Sequence, residues 1–130
     1  MDNHPGTLEP ESVAFSKNSR FAYITLQENS GVVRLDLHTS ELTFFGLGQT
    51  SHDADLIVDG FYNPFETLEA YREPDGISLD QTGRFFVTAD EGDSRSNRGG
   101  SEPEVLDLTH YRGMTLVAVG LERANAGCAD

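Results

Sequence analysis

The residues with the clearest chemical potential are three glutamates that close similar stretches of the chain, Glu28, Glu91 and Glu122, with Asp75, Asp90 and Asp93 close to them in sequence. Carboxylates gathered in this way suit Ca²⁺, a hard cation that takes roughly six to eight oxygen ligands. The alternative is structural: a Glu in a turn that ends a buried strand accepts backbone amide hydrogen bonds and fixes the next hairpin. A calcium cluster of this kind, joined by cationic groups such as Arg72, Arg95 and Arg123, would also meet the needs of calcium-dependent phosphoester hydrolysis. No residue stands out as catalytic in its own right. His4, His38, His52 and His110 are scattered, and only His52-Asp53-Ala54-Asp55 sets potential ligands side by side. The chain has no Gly-rich phosphate loop, nucleophile elbow or His-Glu-x-x-His helix motif, so nucleotide binding, serine hydrolysis and zinc proteolysis have nothing to rest on.

The elements that must position these carboxylates come as a repeat. An acid-proline-acid opening occurs three times, at Glu9-Pro10-Glu11, Glu73-Pro74-Asp75 and Glu102-Pro103-Glu104. Each leads through a short apolar run, a polar turn and a second apolar run to its closing Glu. The spans Glu9 to Glu28, Glu73 to Glu91 and Glu102 to Glu122 are nearly equal in length. Proline has no amide to donate and suits the first position of a strand, and the residue before it is driven extended. Asn18, Gly83 and Gly113 tolerate positive φ and predict the hairpin turns. The second runs, Phe21 to Leu26, Phe85 to Ala89 and Leu116 to Leu121, are apolar on both faces, as expected of strands sandwiched between packed sheets.

After the first hairpin, Val32-Val33-Arg34-Leu35-Asp36-Leu37 alternates as a third strand, and Leu42-Thr43-Phe44-Phe45 makes a fourth. A four-stranded antiparallel meander of this kind is one propeller blade. The expected fold is therefore all-β, a partial β-propeller of four-stranded blades with one complete blade and two partial ones. The blade covers residues 9–46, an insertion 47–72, the second repeat 73–93, a polar linker 94–101, the third repeat 102–123 and a tail 124–130. The insertion has no clear period and reads as a loop with at most one short strand near Leu56-Ile57-Val58.

The chain has 130 residues, enough for a single domain with a real core. Its 22 acidic and 9 basic residues give a net charge of −13, which repels nucleic-acid phosphates and anionic membranes. No nucleic-acid partner and no membrane insertion are expected, and no apolar run approaches the length of a membrane-spanning helix. The single cysteine, Cys128, supports no internal disulfide.

At these motifs the sequence resembles the choice-of-anchor I family, which includes mesenchyme-specific cell-surface glycoproteins and lies near the esterase-like phytase propellers. Three blocks carry the likeness: Glu9-Pro10-Glu11 through Asn29, Arg72-Glu73-Pro74-Asp75-Gly76-Ile77 through Thr88-Ala89-Asp90-Glu91-Gly92-Asp93, and Val119-Gly120-Leu121-Glu122-Arg123. In the middle block the family carries Asn where this chain has Asp90. The resemblance implies a secreted or surface-anchored β-propeller of unsettled activity; with the carboxylates, the expected role is a binding or interaction module whose acidic face holds Ca²⁺. A phosphoesterase of phytase or alkaline-phosphatase type is the alternative. Met1-Asp2-Asn3-His4-Pro5 has neither the basic nor the apolar region of a signal peptide. A closed propeller needs about four blades, so this arc is expected to stay open, its blades covered by a protein partner or by self-association.

Overall fold

In the first hairpin, Pro10–Phe15 (β1) pairs antiparallel with Phe21–Leu26 (β2). Gly31–Asp36 (β3) and Leu42–Gly46 (β4) extend it to a four-stranded sheet in the order β1-β2-β3-β4. This is the expected blade. The structure, a computed structural model, describes residues 8–54, 61, 63, 65–91 and 103–121, which contain strands and turns and no helix. No segment among them forms a helix long and apolar enough to cross a membrane.

The turn between β1 and β2 differs from expectation in one detail. Ser19, not Asn18, takes the left-handed conformation, at φ 54°. Asn18 instead acts through its side chain, whose Oδ1 accepts the Arg20 amide at 3.1 Å and the Ser16 hydroxyl at 2.8 Å. Such local bonds are what make short polar side chains good turn formers.

The second repeat, Pro74–Leu79 (β7) with Phe86–Asp90 (β8), copies the first bond for bond. Ser16 N–H donates to the Phe21 carbonyl at 2.9 Å, and Asp80 N–H to that of Phe85 at 3.0 Å. Ser19 and Gly83 occupy the same left-handed turn position. Gln27 N–H reaches the Glu9 carbonyl at 3.1 Å, and Glu91 N–H that of Glu73 at 2.9 Å. The third repeat, Pro103–Tyr111 (β9) with Met114–Leu121 (β10), closes through Arg112 and Gly113, both at positive φ, the two-residue geometry that matches strand twist.

All three hairpins carry a register irregularity at the same place, next to the opening proline: between Pro10 and Val13, between Pro74 and Gly76, and between Gly120 and Leu121 opposite Pro103. The acid-proline-acid triplet is thus the sequence mark of a β-bulge, where an extra residue bends the strand and interrupts the ladder. In the first repeat the interruption leaves Ser12 N–H to bond the Thr25 hydroxyl at 2.9 Å.

The sheets stack in chain order, with β7 against β1 and β2, and β9 against β7 and β8. One face of the first sheet presents Tyr23, Thr25, Val32 and Phe45. The Phe86 ring meets Tyr23 at 5.8 Å and Phe45 at 6.0 Å, edge contacts worth about 0.5–1.5 kcal/mol each beyond area burial. Thr25 and Val32 are fully buried in this junction, and the Thr25 hydroxyl donates to the Asp75 carbonyl at 3.0 Å. At the next junction Leu108 is buried and His110 Nε2 lies 2.6 Å from Asp80 Oδ1. The result among the described residues is a partial propeller, one complete blade with the two repeat hairpins stacked on it in turn.

Two expectations are corrected. The insertion holds a hairpin of two six-residue strands, Gln49–Ala54 (β5) and Glu66–Tyr71 (β6). Backbone pairing sets this ladder, and Gln49-Thr50-Ser51-His52-Asp53 shows no apolar alternation by which to recognise it. Leu56-Ile57-Val58, read as a strand, lies outside the described residues. β10 is also not sandwiched: Met114, Leu116, Val117 and Val119 are all exposed. The second repeat, through β7 and β8, packs against β9 instead.

Candidate functional site

The closing ends of the first two repeats meet. The bulges place β1 and β7 side by side and bring the residues that follow β2 and β8 to the same end of the stack. There the Gln27 side-chain amide donates to the Glu91 carboxylate across the seam. The matched backbone bonds make Gln27, not Glu28, the counterpart of Glu91. The expected equivalence of Glu28 with Glu91 is therefore off by one residue, because the first repeat takes one residue fewer to reach its closing hydrogen bond than its closing glutamate suggests.

Four of the six candidate ligands lie at this end. Glu28 is half-buried in the turn between β2 and β3, and Glu91 is half-buried against Gln27. Asp75 follows the opening proline, its carbonyl taken by Thr25. Asp90, at the end of β8 and paired in register with Pro74, receives Arg72 Nη1 on Oδ2 at 3.4 Å. Its other oxygen, Oδ1, is buried without a hydrogen-bond partner among the described residues. Asp93 and Glu122 fall outside the described residues. Among those described, no three His, Cys, Asp or Glu side chains are arranged to hold a metal ion.

One acidic residue of this end escaped the sequence reading. Glu73 is only 4% exposed, and its carbonyl accepts the Glu91 amide. The recurring acid before each proline was the available signal. Its counterpart Glu9 is exposed.

The opposite end of the first blade has a different character. Ser19, Arg20, Leu37 and His38 line a shallow groove of about 440 Å³. Arg20 is held there by Asp36 Oδ2 at 3.0 Å and stacks on the Phe21 ring, 5.0 Å from its centroid. The Arg34 guanidinium covers the same ring at 4.9 Å. Asp36 accepts the His38 amide at 2.9 Å and the Thr39 amide at 3.3 Å. The His38 bond is the largest cause holding its carboxyl below the ordinary value; burial works against this, and Arg20 and Thr39 add to it. In the second repeat the Thr82 hydroxyl has the same effect on Asp80, again opposed by burial and aided by His110. Both aspartates serve turns and repeat junctions. At the acidic end, the Gln27–Glu91 hydrogen bond joins groups of two repeats across their seam.

Among known families, the model of the choice-of-anchor I domain matches residues 3–97. That span takes in the first blade, the inserted hairpin and the second repeat. No curated protein and no solved structure matches the chain.

Proposed function

The chain belongs to the choice-of-anchor I family, which makes it a cell-surface-associated domain, and from that premise we propose that it is a propeller-type binding module whose acidic end takes Ca²⁺. The oxygen donors are Glu28, Asp75, Asp90 and Glu91; the other two candidates, Asp93 and Glu122, lie outside the described residues. The observation that supports this reading is the buried Asp90 Oδ1, which has no hydrogen-bond partner among the described residues. A buried anionic oxygen left in this way is costly, and a hard cation would remove the cost. The uncovered sheet faces of the arc are the surface offered to a protein partner.

Calorimetric titration of CaCl₂ into the EDTA-treated chain tests the proposal. Saturable binding is expected, weakened about tenfold or more in Asp90→Asn and Glu91→Gln. An absence of heat in the unsubstituted chain removes the cation from the reading. Hydrolysis of a generic phosphate ester, lost in Glu91→Gln, would make the site that of a phosphoesterase instead.

A further inference from the structure

The register of the first sheet places Val13, Ile24, Val33 and Phe44 in one cross-strand row and Phe15, Ala22, Leu35 and Leu42 in the next, on a single face. All eight are apolar. Val13, Phe15, Leu42 and Phe44 are each more than half exposed, at 51%, 59%, 51% and 51%. Ala22 and Val33 between them are buried, so the exposed apolar area lies along the two outer strands, an uncharged surface of the kind that marks an interaction site.

The repeat itself shows what such a face accepts. By the matched hydrogen bonds, Val13 and Phe15 are the counterparts of Ile77 and Leu79, and Ala22 that of Phe86. In the second repeat this face is covered by the first sheet, through Tyr23 and Phe45 on Phe86, and Ile77 is 7% exposed where Val13 is 51% exposed. Among the described residues, no sheet covers the first sheet on the side where the second repeat has its neighbour. The other end of the arc is the reciprocal surface. Pairing of Tyr111 with Met114, Thr109 with Leu116, Asp107 with Ala118 and Val105 with Gly120 sets these residues on the outer face of the third repeat, where Val105, Tyr111, Met114 and Leu116 are 44–64% exposed around the single carboxylate of Asp107.

We propose that a second copy of this chain occupies the open face of the first sheet, docking the outer face of its third repeat there in head-to-tail fashion. The contact continues the junction already made twice within the chain. It joins two different surfaces, so it is heterologous and can propagate or close into a ring. A four-stranded patch is about 20 Å wide at the usual strand spacing. This is at the small end of stable interfaces, so association depends on concentration. The proposal rests on the binding-module reading only for its uncovered faces and is independent of calcium.

Sedimentation velocity over a wide concentration range, with EDTA present, tests it using Phe44→Lys and Leu116→Lys, both at exposed positions. The unsubstituted chain is expected to grow in mass with concentration. Each variant keeps one working face and alone stays monomeric, while an equimolar mixture of the two gives a dimer that grows no further. A chain that stays monomeric throughout overturns the proposal, as does either variant that still pairs with itself, which would mean a symmetric contact. Calcium titration of the same samples reports separately on the cation site.

Discussion

Gln27 and Glu91 stand at the same position of two successive repeats, and the amide of one donates to the carboxylate of the other across the seam between them. An uncharged residue at one of the two positions avoids placing two carboxylates face to face. Gln27→Glu creates that pair. In EDTA at neutral pH the variant is expected to lose about 1–2 kcal/mol of stability, the scale of a close like-charge contact at intermediate dielectric. Ca²⁺ should recover most of it if the acidic end binds the cation. Thermal melts of the variant with EDTA and with CaCl₂ check both parts.

Thr25 joins the two bulges, accepting Ser12 N–H and donating to the Asp75 carbonyl while fully buried. Thr25→Val keeps the shape and removes the hydroxyl, leaving a buried donor and a buried acceptor unpaired. The expected cost is about 1–3 kcal/mol. Thr25→Ser keeps both hydrogen bonds and loses only a methyl group, at about 1 kcal/mol. Urea denaturation midpoints should therefore rank the native chain above Ser and Ser above Val. The opposite order would show that packing, and not the hydroxyl, holds the junction.

The carboxyls of Asp36 and Asp80 are both held below their ordinary value of 3.8. A carboxyl whose folded-state value is depressed contributes stability that is complete above its unfolded value and lost as pH falls through the folded one. Stability should thus be insensitive to these groups from neutral pH down to about 4 and decline below it. In Asp36→Asn the acid decline should be shallower than in the native chain, from a lower starting stability. Denaturation midpoints measured at a series of acid pH values decide this; identical slopes would show that Asp36 has no part in it.

The strand pairs and their order could be read in the chain because their causes are local. Pro10, Pro74 and Pro103 mark strand starts through a missing amide, Gly83 and Gly113 supply turns that need positive φ, and Arg34 and Asp36 alternate with apolar neighbours as a strand with two unlike faces requires. The β5–β6 hairpin could not be read, because its pairing is made by backbone groups that every residue carries while its side chains keep no period. The positive φ at Ser19 was missed for a related reason: Asn18 can satisfy a turn by its side chain as well as by its backbone.

By itself the sequence determined that the chain is an all-β repeat, where each hairpin opens, and that its closing ends are rich in carboxylates. Only the tertiary structure decided that Gln27 and not Glu28 answers Glu91, that β10 stays exposed, and that Val13 and Phe15 lie bare where Ile77 and Leu79 are covered. Turn chemistry and side-chain alternation act between residues close along the chain. Register across a bulge, and the presence or absence of a neighbouring sheet, depend on residues that only folding brings together.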